Sequence, residues 1–428
     1  MYEIQLPLQQ RETLENGLRL VLLRLPHLRS VSVRVGVPAG VLYEERSVNG
    51  ISHFLEHLHL SASRNYPDRD AFNQQWRQIA GVRDGVTEPD FLQLAFLTAP
   101  RHTTKLIELV TEVMAPGHFS DELIEAERTL ILSELAGTDA SFKLPGVAGD
   151  AEYARPPAGT LKSVARLRPS EIHEWDRRLF DPRRMVVVIA GGFSEQDVEH
   201  ARESFGTLRT SSASPPPRRA SSPKLSLPDI RAGETRDQMP TLWLGWVMPP
   251  NASPQCRAAT LFLSHVMDAP TAPLWEAVRY QATSVYHWSV DEMRVGDLRY
   301  LWVESALPGR QRNSLVRTLL EIFRDLCEPA GAREWFDHAH MNFLFGIERS
   351  FDEPHALAAR ILSEEIVNDG GPPFAEIIDA VRRMTPESLA ASLRQIMVPE
   401  RFFLHYTARR PHWLQFGLRR ILAQAGIR

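Results

Sequence analysis

The sequence predicts an α+β fold made of two duplicated halves, each a largely antiparallel sheet with helices packed on one face. Three observations carry this expectation. Apolar residues alternate at Val31, Val33, Val35 and Val37 and again at Leu92, Leu94 and Phe96, the period of a strand with one buried face. Helical runs lie between the strands without a strict strand–helix–strand rhythm, which argues for mixed antiparallel sheets rather than a parallel one. Pro169, Arg177, Pro182 and Arg184 recur as Pro386, Arg394, Pro399 and Arg401, each 217 residues on.

The first half is read as residues 1–208. After the strand at Val31–Val37, an Asn49-Gly50 turn opens a short apolar helix from Ile51 that stops before Asn65-Tyr66-Pro67. It carries His53-Phe54-Leu55-Glu56-His57. Histidines four apart share a helix face about 6 Å apart along the axis, so both reach one cation, and Glu56 sits beside that face. A metal held by neutral imidazoles with one position open to water lowers that water's pKa to about 7, and a neighbouring carboxylate can take its proton. Three ionisable side chains on an apolar helix are costly to bury without a shared partner. His59, two residues past His57, points elsewhere.

Two imidazoles leave such a site one protein ligand short. The acidic helix from Asp121 to Ala136 is the source to consider, with Ser120 as its N-cap and early acids at its positive end. Glu127 and Glu134 share a face, separated by about 10.5 Å along the axis. One is therefore ligand and the other supports it, and spacing alone leaves open which.

Residues 209–230 contain Ser211-Ser212-Ala213-Ser214-Pro215-Pro216-Pro217, a run that cannot form a helix or a central strand, and are read as a linker. The second half, 231–410, repeats a helix opened by Pro386-Glu387-Ser388 and a strand at Phe402–Tyr406, matching Pro169-Ser170-Glu171 and Met185–Ile189. Further strands are expected at 241–247 and 301–307. At the offset of the histidine motif stand Pro270 to Leu274, so only the first half is expected to bind metal. The tail, 411–428, is basic and amphipathic. It suits either a membrane surface or, the preferred reading, packing on the body or a dimer contact.

Composition sets the class. The 428 residues are 43% hydrophobic, enough for more than one core. The net charge of −4 argues against nucleic acid as partner. Cys256 and Cys327 are too few for a disulfide framework. No segment approaches the apolar length of a membrane span, and the stretch after Met1 lacks a leader pattern, so a cytoplasmic setting is the expectation.

Gly50-Ile51-Ser52-His53-Phe54-Leu55-Glu56-His57-Leu58, followed downstream by Glu127-Arg128 and Glu134-Leu135, resembles the insulinase or pitrilysin family of metallopeptidases over nearly the whole chain. The resemblance implies half of a clamshell, one zinc ion per chain held by His53, His57 and Glu134, Glu56 as general base and Glu127 as the group that orients a ligand. It also implies that Arg279 and Tyr286, seven residues apart in the second half, complete a site from the opposite side of a closed chamber. The expected activity is a zinc endopeptidase for short or unfolded peptides, leader or precursor peptides among them. The expected assembly is a homodimer or a heterodimer with a homologous subunit. A non-catalytic subunit of such a heterodimer is the alternative. Where the family has Asn-Ala in the strand that pairs with substrate, this chain has Asp84-Gly85, a departure that points to altered specificity or weaker activity.

Overall fold

The structure, a computed structural model, describes residues 9–117, 119–137, 144–147, 152–219, 223–234, 240–249, 252–268, 287–306, 311–367, 374–409 and 415–427. Two compact units interleave in sequence. One comprises Met1–Thr138, Arg155–Ser221 and Glu348–Gly371; the other comprises Asp139–Ala154, Ser222–Ile347 and Pro372–Arg428.

The first unit holds β1 (Gln9–Thr13), β2 (Arg19–Arg24), β3 (Val31–Val37), β4 (Val82–Thr87), β5 (Leu92–Thr98) and β6 (Val186–Gly191) in the order β1-β2-β6-β3-β5-β4. Only β2 and β6 pair in parallel. Val31, Val33, Val35 and Val37 all point to one face, as their spacing requires. There they pack with Phe54 and Leu55, Leu106 and Val110, Ile172 and Trp175, and Val198 and Phe205, from the helices Ile51–Ser61, Thr103–Met114, Pro169–Leu179 and Glu195–Gly206.

The opposite face of this sheet is covered as well, beyond the one-faced arrangement expected. Helix Pro354–Val367, from late in the chain, lays Leu357, Ala358, Ile361 and Leu362 on Val21, Leu23, Val186, Val188 and Ala190. The polar members of β3 adapt to it. Ser32 Oγ lies 3.1 Å from His355 Nδ1, Arg34 Nε donates to the His355 carbonyl at 3.0 Å, and a Cβ on Gly36 would strike Ile366. The division at 209–230 into consecutive halves is crossed by this segment. β2 and β6 are apolar on both faces, the pattern of strands buried on two sides, and a second cover has to come from somewhere.

The second unit holds β7 (Asp229–Glu234), β8 (Thr241–Val247), β9 (His287–Val295), β10 (Leu298–Ala306) and β11 (Phe402–Ala408) in the order β7-β11-β8-β10-β9, with β7 and β11 parallel and the rest antiparallel. The duplication is visible in matching elements. Helix Pro169–Leu179, the turn Pro182–Arg184 and β6 are answered 217 residues later by helix Pro386–Ile396, the turn Pro399–Arg401 and β11. Residues 209–219 form neither helix nor strand. In the tail, helix Gln415–Gln424 buries Leu418, Ile421 and Leu422 within its own unit and leaves Arg419 and Arg420 exposed, as the packing reading expects. No helix among the described residues is long and apolar enough to cross a membrane. Cys256 and Cys327 are free thiols, and burial pushes Cys327 up to about 11, which makes it a poor nucleophile.

Candidate active site

The motif helix Ile51–Ser61 starts where it does for two reasons. Gly50 has φ 95°, and a Cβ there would sit 2.8 Å from both the Ala158 carbonyl oxygen and the Gly159 Cα, so glycine is required. Glu44, fully buried, accepts from the N–H groups of Gly50 and Ser52 at 2.9 Å each and from Asn49 Nδ2 at 3.1 Å. Its carboxylate thus satisfies amides at the positive end of the helix. Burial nevertheless holds the Glu44 carboxyl above its ordinary range. Ile51, Phe54, Leu55 and Leu58 have no exposed surface and fix the core face, which turns His53, Glu56 and His57 toward the acidic helix Asp121–Gly137 and the strand β4.

There the candidate residues meet. His53 Nε2 lies 3.8 Å from Glu134 Oε1, and His57 Nε2 lies 3.5 Å from Glu134 Oε2. Among the described residues, His53, His57 and Glu134 are the set of three metal-ligating side chains whose donor atoms converge, all within 4.8 Å of one another. The other ring nitrogen of His57, Nδ1, is 3.3 Å from Glu127 Oε2. One imidazole therefore bridges two carboxylates set seven residues apart. Glu127 is 1% exposed and also accepts from Ser61 Oγ at 2.5 Å and from the Arg69 guanidinium.

Glu56 is 6% exposed. Thr87 Oγ1 donates to its Oε2 at 2.5 Å, and its Cγ and Oε1 lie 2.6 and 2.7 Å from where a Gly85 Cβ would be. Gly85 is thus a close approach that no other residue permits with Glu56 in this position. Arg279 and Tyr286 lie outside the described residues.

The electrostatics are those of a site short of positive charge. Burial pushes the Glu56 carboxyl up to about 7, with Asp84 and Glu134 adding to it and Thr87 and His57 opposing. Burial and the neighbouring His57 push His53 down to about 4. Burial would lower His57 too, but the Glu127 hydrogen bond and the charges of Glu56, Glu127 and Glu134 outweigh it and hold the ring above its usual range. Glu127 stays below the ordinary carboxyl range because His57, Ser61 and Arg69 more than offset its burial. Two imidazoles among these carboxylates offer nitrogen and oxygen donors to a cation. Among the described residues the buried Nδ1 of His53 has no hydrogen-bond partner, so the ring is not committed through that nitrogen. This donor set suits zinc or a similar divalent ion.

Arg69, Ser61 and Glu44 were not among the expected site residues. They act on the site from 58, 66 and 8 positions away from the groups they bond, without a local pattern to reveal them. His59 does face away. It is buried, stacked on Phe180 with centroids 3.6 Å apart, with ring nitrogens 2.6 Å from the Val113 carbonyl and 2.8 Å from Asp176 Oδ1.

Replacing Glu127 by Gln is expected to weaken divalent-metal affinity ten- to a hundredfold, because His57 loses the charge that orients its ring. Competition against a chromophoric chelator measures this. An unchanged affinity would show that Glu127 serves only the packing of the two helices.

Residues 19–144 match the family model described as Insulinase (Peptidase family M16), and residues 166–335 match the one described as Peptidase M16 inactive domain. A Mycobacterium leprae protein named as an uncharacterized zinc protease is 32% identical over 230 residues, 49% of this chain and 49% of that protein. Cytochrome b-c1 complex subunit 1 of Mus musculus is 27% identical over 201 residues, 45% of this chain and 41% of that one. These alignments span about half the length of the curated relatives. A protease of known structure from Helicobacter pylori superposes with a TM-score of 0.79 over 94% of this chain and 100% of its own, at 17% identity, a likeness of fold alone. Matched in both halves by the models of one family, the chain belongs to the insulinase peptidases, family M16.

Proposed function

We propose that this chain is a zinc endopeptidase that cuts short or unfolded peptides. One observation carries the reading: the Nε2 atoms of His53 and His57 converge on the Glu134 carboxylate at 3.8 and 3.5 Å beside a buried Glu56. Zinc bonds of about 2.0–2.2 Å in a tetrahedral arrangement set ligand atoms about 3.4 Å apart; the two histidine–Glu134 separations approach this, and the donor set as a whole, within 4.8 Å, would draw together on the ion. His53, His57 and Glu134 would hold the ion, which supplies Lewis acidity and lowers the pKa of a water to about 7.

The rest is the work of the chain's own groups. Glu56 is placed to accept a proton from water and hand it to the leaving amine, and its burial makes it a stronger base than a solvated carboxylate. Thr87 fixes one of its oxygens, so the other remains on the Gly85 side. Glu127 takes the Nδ1 proton of His57 as a hydrogen bond and leaves the Nε2 lone pair for a metal. β4, an end strand of its sheet, runs beside Glu56 and offers an extended peptide a place to add as a strand, which a folded protein cannot use. Arg279 and Tyr286 enter this proposal as groups that steady the carbonyl under attack, supplied by a second copy or by a homologous subunit.

A non-catalytic role in a larger assembly has the kinship with cytochrome b-c1 subunit 1 in its favour. It gives the buried Glu56 no task. The test is zinc titration of metal-freed protein, together with cleavage of a mixed library of unstructured peptides. One zinc per chain, lost in His57→Ala, and cutting that a chelator stops are the expected results. Protein that binds no zinc and cuts nothing, alone or paired, would overturn the reading.

A further inference from the structure

One outward-facing N–H on the β4 edge is already taken, by the chain itself. The hairpin joining β4 to β5 closes with the Glu88 N–H donating to the Phe91 carbonyl at 2.8 Å. Hydrogen-bonded pairs alternate along an antiparallel ladder, so with this register Val86, Asp84 and Val82 direct their backbone groups toward β5. Arg83, Gly85 and Thr87 direct theirs outward, where an added strand would bond. Gly85 is the middle of the three and the one that touches Glu56. Its N–H donates to Asp84 Oδ1 at 2.9 Å.

A carboxylate therefore stands where the carbonyl of a docked peptide would have to stand. Displacing it frees a charge on an exposed strip, with Val82 and Val86, 56% and 40% exposed, two residues to either side on the same face. On that face the Asp84 charge acts on Arg34, which is 7% exposed and bonded to Gln93 Oε1 and the His355 carbonyl, and on His355. Among the described residues neither is hydrogen-bonded to the carboxylate, so a cation brought by the peptide can pair with it directly.

We propose that Asp84 determines specificity. A peptide strand replaces its carboxylate on the Gly85 N–H with a backbone carbonyl, and the carboxylate then pairs with a lysine or arginine side chain of that peptide, flanked by apolar residues that lie against Val82 and Val86. This rests on β4 being the substrate edge of a peptidase. A neutral peptide brings the displaced charge no partner, and an acidic one repels it.

The test uses dye-labelled unstructured peptides that differ only in Lys, Ala or Glu at one position, scanned along the sequence. Cleavage and equilibrium binding are read separately on zinc-loaded full-length protein. At one position Lys is expected to exceed Glu by about tenfold, and raised salt should shrink the ratio. Asp84→Asn should abolish the charge preference, and Asp84→Ala should in addition improve binding of the Ala peptide, since nothing then competes for the Gly85 N–H. A ratio unchanged in both variants, or equal binding of all three peptides by wild type, overturns the proposal. Asp84-dependent binding without any cutting would remove the hydrolase and keep the specificity; cutting without Asp84 dependence would do the reverse.

Discussion

Glu56→Gln is expected to lower peptide turnover about a thousandfold while zinc still binds at one per chain. The substitution keeps the shape that fits over Gly85 and an oxygen for Thr87 to bond, so the fold has no reason to change. What it removes is the proton acceptor. General acid–base catalysis contributes roughly a hundred- to ten-thousandfold, and on the proposed mechanism one group would both accept the proton from water and return it to the amine. Because Gln is neutral, the charge that helps raise His57 is lost as well, yet His57 keeps Glu127 and Glu134. Metal content by atomic absorption, beside kcat for one good peptide, makes the measurement. Full turnover in the variant would rule Glu56 out as the base, and loss of zinc along with turnover would make it a part of the metal cage.

The second large effect concerns stability. His59→Leu is expected to cost about 3–5 kcal/mol, because it strands the buried Asp176 carboxylate with the Gly117 N–H at 2.8 Å as its remaining bond among the described residues. Both side chains of the pair are 1% exposed, so water cannot replace the lost partner. A loss of that size is a large share of the stability of an ordinary domain. Urea unfolding followed by circular dichroism gives the number. The double variant His59→Leu with Asp176→Leu should recover part of the loss, since no charge is then left buried. If the single variant costs less than about 1 kcal/mol, the pair is not what fastens the motif helix to helix Pro169–Leu179.

Much of this architecture is legible in the sequence where the signal is local. The alternating valines of β3, the paired histidines on an apolar helix and the Pro-Arg elements at a fixed offset each depend on residues near one another. The spacing of Glu127 and Glu134 narrows the ligand question without closing it, because helix pitch says that they cannot both reach one ion and not which one does. The His57 ring stands between them, Nδ1 3.3 Å from Glu127 and Nε2 3.5 Å from Glu134, a placement that no spacing argument supplies. Partnerships between distant segments are not legible. His59 and Asp176 are 117 residues apart, Arg69 and Glu127 are 58 apart, and Arg34 meets His355 across 321. No periodicity announces such pairs. The helix over the outer face of the first sheet is the largest case, since its own apolar stripe says that it must cover something but not what.

That helix also sets an order of events during synthesis. Once β6 has been made, the strip formed by Val21, Leu23, Val186, Val188 and Ala190 is complete, and its cover ends at Val367. At about 5–20 residues per second, the ribosome needs on the order of ten to thirty seconds to supply it. For that interval the nascent first half lacks the helix that covers this strip in the finished fold, and an exposed apolar sheet face of that kind is prone to aggregate.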